Sequence, residues 1–238
     1  MRKEPMKNRL RKLGIVMIAF GVIFAGSGIF AFTQVQAGNA SLEAFSTAQN
    51  VILQYNDDGE LIDRGSTETA AAILSLLEDD WAYPVRASEL DPADPLVNTA
   101  TEYMYQMAVI GYHVLHGTQT VVLTEAVEYE GETFAAGAHE FAIDGRYWTD
   151  FDRRHPIEGP ARSQAWSGTV HGLFGELGVG TVTASTLQLG LGVSALLFGM
   201  GLTIMILGAG LLWVGAAKEE DLVPLPMEKA TMPDPVSV

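Results

Sequence analysis

"ALLFGMGLTIMILGAGLLWVGA", Ala195–Ala216, contains no charged side chain, and the charge-free run around it extends from Leu177 to Ala217, 41 residues. A hydrocarbon core of roughly 30 Å needs about 20 helical residues to cross it. A buried helix of a soluble protein rarely runs this long without a charge. Residues 187–217 are therefore expected to span a membrane. Working outward, a second apolar run is Leu13–Phe32, 20 residues without a charge, which places a first span at 13–33. Arg2, Lys3, Lys7, Arg9, Arg11 and Lys12 precede it against Glu4 alone, so residues 1–12 form a basic tail expected on the cytoplasmic side. The first run followed by "VQA", Val35–Ala37, also fits a cleaved signal peptide. Its length exceeds the roughly 7–15 residues usual for the apolar part of a signal and favours a retained anchor. Two spans put both termini inside, with 218–238 a proline-containing tail expected to be disordered.

The charge distribution follows the same division. Between residues 34 and 186 there are 23 acidic residues, six arginines and no lysine, a net −17, while the remaining lysines and arginines lie in the two tails. Poverty in basic residues agrees with export of this segment. A strongly acidic domain repels nucleic acid and anionic headgroups, so neither is expected as a partner, and attracts cations or a basic protein surface. Cysteine is absent, which removes disulfides, thiolate nucleophiles and thiolate metal sites. Exported proteins without disulfides are common in bacteria, so the expected location is a bacterial plasma membrane with the central domain outside. The preference for arginine over lysine there suggests a GC-rich genome.

Inside the central segment the pattern predicts an α+β domain. "VILQYNDDGELIDRG" alternates around Asp57, Asp58 and Gly59 as a hairpin does. Ser66 is placed to cap a helix through "TETAAAILSLLEDD", and "WAYPVRASELDPADPLVN" is a proline-marked loop. Thr99 and Glu102 have capping-box spacing ahead of "TEYMYQMAVIGYHVLHG", which Gly117 is expected to stop. Residues 118–152 then alternate with period two between glycine turns at Gly131, Gly137 and Gly145, as a small antiparallel sheet would. Trp166 and Phe174 follow in a glycine-rich approach to the second span, where headgroup level suits their rings.

Small residues repeat within both spans. Gly14, Gly21 and Gly28, with Ala25 nearly on the same side, and Ser194, Gly201, Gly208 and Gly215 recur every seven residues. Such stripes let helix backbones approach closely in lipid, and sevenfold spacing favours a shallow left-handed crossing. They predict an intramolecular helix pair, with Gly21 and Gly208 brought together near the midplane. Neither span carries an ionisable group, so neither relays protons or ions alone.

"GYHVLHG", Gly111–Gly117, places His113 and His116 three apart on one helix face. With His139, Glu140 or His155 as a third ligand they would make an iron, copper or zinc site, while His171 lies close to the second span. The alternative is that all are fold residues. No His-x-x-x-His with glutamate and no G-x-S-x-G elbow occurs.

At "DWAYPV", "DPADPLVNTATEYMYQM", "HGTQTVVL" and "DGRYWTDFDRRHPIEGPARSQAWSG" the chain resembles a group of uncharacterised two-span actinobacterial membrane proteins, some similar to proteins labelled aromatic ring-opening dioxygenase. That label implies an iron held by two histidines and a carboxylate, roles for which His113, His116 and a nearby acid are available. No catalytic residue is assigned and no cofactor is expected. The sequence leads to a non-enzymatic cell-envelope protein, an accessory or docking subunit contacting the bilayer and either a membrane-protein partner or a second copy of itself. The alternative is an exported metal-binding protein or metal-dependent enzyme, dioxygenase-like, using His113 and His116.

Overall fold

The computed structural model describes residues 6–216; the expected disorder of 218–238 and the first five residues of the basic tail lie outside them. Two helices are long and apolar enough to cross a membrane, α1 (Met6–Gln49) and α5 (Gly168–Ala216). Both exceed the spans expected at 13–33 and 187–217. Apolar composition marks what suits lipid, whereas helix continuation needs only unbroken backbone bonding, and neither 34–49 nor 168–186 contains a proline.

Among the described residues the chain forms two compact parts: 6–32 with 192–216, and Thr33–Leu191. The first part is an antiparallel pairing of α1 and α5 through small residues. A β-carbon on Gly14 would lie 2.7 Å from the Gly208 carbonyl oxygen, on Gly21 2.7 Å from that of Gly201, and on Gly28 2.8 Å from that of Ser194. No side chain larger than hydrogen fits at these glycines without moving a backbone. Gly21 thus faces Gly201, and the pairing with Gly208 falls to Gly14, one heptad away from the expected partner. Equal spacing on both helices leaves that choice open in the sequence.

In the second part the loop after α1 pairs β1 (Gln54–Tyr55) with β2 (Leu61–Ile62) in the expected hairpin. Ser66 accepts from the Thr69 amide at 3.0 Å and starts α2 (Thr67–Ser75), whose end widens into a π-turn, Leu76–Asp80. The widened turn sends consecutive leucines into different cores, Leu76 into one and Leu77 into the other. The proline segment stays irregular apart from one 3₁₀ turn, Ala87–Glu89, and is tied back by Leu53 N–H to Pro95 O and Val97 N–H to Val51 O. The capping box forms: α3 (Ala100–Leu115) begins with Thr99 Oγ1 accepting from the Glu102 amide, while Glu102 Oε2 accepts from the Thr99 amide at 2.8 Å. Gly117, at φ 126°, carries the chain away from the helix.

The sheet expected after α3 is a ribbon. β3 (Thr118–Leu123) pairs with β6 (Gly137–Ala142), and β4 (Val127–Tyr129) with β5 (Glu132–Phe134). Residues 124–126 on one side oppose 135 and 136 on the other, an extra residue that interrupts the ladder as a bulge does. Glu130 and Gly131, both at positive φ, close its tip. α4 (Glu158–Ala165) packs on β3.

One core gathers Leu76, Leu115, Val121, Ile143, Phe151 and Trp166, with Phe174 packed against it. The indole N–H of Trp166 donates to Arg146 O at 3.1 Å. Trp166 is therefore a core residue, covered by β-ribbon and α4 residues, and the half-buried Phe174 packs edge-on against it and against Trp81. The other core centres on Tyr103, Tyr105, Ile73 and Leu177.

Candidate functional site

The histidines do not converge. His113 Nε2 donates to Asp63 Oδ2 at 2.8 Å, drawing α3 onto the end of β2. His116 is already outside the helix at φ −121°, its Nδ1 2.7 Å from Tyr112 O and its ring against the Tyr112 ring. The helical turn that would aim both rings at one point has ended by His116. His139 and Glu140 are consecutive strand residues opposite Val121 and Thr120, so they point to opposite faces of the ribbon. His139 Nε2 donates to Ala135 O at 2.8 Å. His155 Nδ1 accepts from the Ile157 and Glu158 amides at 3.2 and 3.1 Å, and His171 Nδ1 donates to Ser167 O at 3.0 Å. Among the described residues no three His, Asp or Glu side chains group in a way that could hold a metal ion.

Asp63, the partner of His113, also borders a different kind of place. A cavity of about 180 Å³ is lined by Asp63, Arg64, Gln54, Gln106 and Tyr105. The Tyr105 hydroxyl is buried without a hydrogen-bond partner among the described residues. Burial, then the charge of Asp63, pushes its ionisation well up from the ordinary tyrosine range, so it stays a neutral donor at any physiological pH. Tyr55 beside it is raised to about 12, by burial and then by Glu102 and Asp91. Neither tyrosine nor Asp63 carries a sequence motif, and only the fold brings them together.

A second cluster lies between β6 and α5. Two guanidiniums lie over the Trp148 ring, Arg153 with its central carbon 5.0 Å and Arg162 with its central carbon 3.9 Å from the ring centroid. Arg162 Nε donates to Trp148 O at 2.7 Å, and His171 meets the indole edge-on at 5.0 Å. Arg162 Nη2 is shut off from solvent and has no hydrogen-bond partner among the described residues. The sequence signal for this cluster is the crowding of Arg153, Arg154 and Arg162 behind Trp148 when residues 34–186 hold only six arginines.

The seam glycines and Ser194 come together as described, and Gly215 closes the row: a β-carbon there would lie 2.7 Å from the Arg11 side chain and 3.2 Å from Lys7 O. Further along the same helices, an apolar groove of about 560 Å³ passes Leu42, Phe45 and Val179. Comparison with protein-family models, curated proteins and solved structures finds no match to this chain.

Proposed function

We propose that this protein is a non-enzymatic, two-span component of the bacterial cell envelope, an accessory or docking subunit that presents its acidic α+β domain outside the plasma membrane and keeps both termini in the cytoplasm. The observation that carries this reading is the character of the paired helices. The small residues of the seam are used up against each other, and much of what is left outward is apolar: Ile15, Phe20, Ile23, Phe30, Leu196, Ile206 and Trp213 are exposed. Exposed apolar area on this scale belongs in lipid or against another apolar helix. With no ionisable group between Leu13 and Phe32 or from Leu177 to Ala217 other than those outside the spans, the pair has no means of moving a proton or ion, and anchoring is the role its chemistry supports.

Affinity purification from native membranes in a mild detergent tests the docking role. A membrane subunit recovered in stoichiometric amount supports it. Recovery of the chain alone, as a monomer, at every detergent concentration overturns it and leaves a simple anchored domain.

A further inference from the structure

The ionic pairing of the arginines in the acidic part is uneven. Arg86 pairs with Glu89 at 3.2 Å and Arg146 with Glu158 at 2.5 Å. Arg153 and Arg162 form no ion pair among the described residues, although they share one indole. The carboxylates nearest in sequence are turned elsewhere: Asp150 accepts from the Tyr147 amide and the Thr149 hydroxyl, and Asp152 from the Tyr129 hydroxyl and the Arg154 amide. Among the described residues, two like charges are thus held together with no counter-charge supplied by the protein, in a region with 23 acids to choose from. Loss of hydration and then the charge of Arg153 push the Arg162 ionisation down. Both effects are relieved by an anion.

We propose that Trp148, Arg153, Arg162 and His171 form a binding site for a phosphate group, carried either by a lipid headgroup or by a soluble phosphate ester. The two guanidinium carbons are no more than about 9 Å apart, a span that one phosphate bridges by accepting from a planar fork on each side. His171, whose Nδ1 is committed to Ser167 O, has Nε2 left to add a third donor when protonated. Trp148 is 39% exposed, so the platform on which the forks rest is open to solvent. The net negative charge of the surrounding domain does not cancel the site, since at physiological salt charges beyond about 8 Å are largely screened.

The test uses the full chain, titrated with inorganic phosphate by calorimetry at fixed ionic strength set with chloride. Saturable one-site binding is expected, weakened about tenfold or more by Arg153→Gln and by Arg162→Gln. Arg162→Gln also removes the bond to Trp148 O and can disturb the loop. Arg153→Gln is the deciding variant, because that side chain is exposed and rests on the indole face. Its thermal unfolding should match the parent. Absence of saturable binding up to roughly tens of millimolar phosphate, or unchanged affinity in a folded Arg153→Gln, overturns the proposal. Repeating the titration in nanodiscs separates the sources. Loss of phosphate binding relative to detergent in phosphatidylglycerol or in phosphatidylcholine, both of which carry a phosphate, identifies a lipid headgroup, and binding undiminished in both identifies a soluble ester.

Discussion

Glu102 and Glu89 are two carboxylates of one domain pushed in opposite directions. Glu102 is 1% exposed; burial raises its ionisation above the ordinary glutamate range, against hydrogen bonds from Asn98 and Thr99 that lower it. Burial also opposes the charge on Glu89, but bonds from Gln188, Thr101 and Arg86 outweigh it and the net direction is down. The signs for stability follow. A raised folded pKa gives Glu102 a contribution that is complete below the unfolded value of about 4.3 and lost as pH rises through the folded one. Glu89 contributes above the unfolded value and loses its contribution as pH falls through its depressed one. Glu102→Gln keeps a capping-box side chain, so its melting temperature is expected to fall less than the parent's between pH 4 and 7. Glu89→Gln should flatten the loss below pH 4 instead. Tyr103 offers a second test: its hydroxyl bonds buried Ser46 at 2.8 Å, and Tyr103→Phe leaves Ser46 without that partner, a destabilisation of about 1–3 kcal/mol in chemical unfolding. The capping box was legible in the sequence because Thr99 and Glu102 act within one turn. The Ser46–Tyr103 bond was not, since nothing local records a contact across 57 residues.

Among elements, the helix pair gives the sharpest contrast. Gly21 meets Met205 and the Gly201 backbone, whereas a β-carbon on Gly26 or Gly210 meets nothing within 4 Å. Gly21→Leu or Gly201→Leu should weaken the pair by about 1–3 kcal/mol, the usual cost of overpacking. Gly26→Leu and Gly210→Leu should be absorbed, and equal losses at all four sites in a detergent-unfolding series would rule out the seam. Gly21→Cys with Gly201→Cys should crosslink within one chain, and Gly21→Cys with Gly208→Cys should not. Periodicity made the helices and the hairpin readable. It did not reveal the ribbon's interrupted ladder, the π-turn that splits Leu76 from Leu77, or the burial of Trp166, because these depend on partners distant in sequence. The candidate sites divide likewise: the histidine pair was conspicuous and the fold separates it, while Asp63 with Tyr105, and Trp148 with its arginines, are assembled from pieces that look ordinary one by one.

For the molecule as a whole, the absence of cysteine makes its sidedness directly measurable. Ala136→Cys sits at an exposed position of the ribbon and should react with an impermeant maleimide on intact cells, while Lys3→Cys should react only after permeabilisation. The reverse pattern, or a mature protein beginning at Gly38, would overturn the proposed topology. The glycine seam has one more consequence. Its marks fall at equal intervals on both helices, like notches on two facing rulers. Sliding one helix by seven residues, about 10 Å of rise, brings Gly14 to Gly215, Gly21 to Gly208 and Gly28 to Gly201, again three close pairs. Spacing alone therefore permits a set of offsets, of which the fold takes the one that sets Gly21 on Gly201. A deletion of seven residues within it should leave the notches engaged, whereas deletion of one residue should turn every notch beyond it about 100° off the seam.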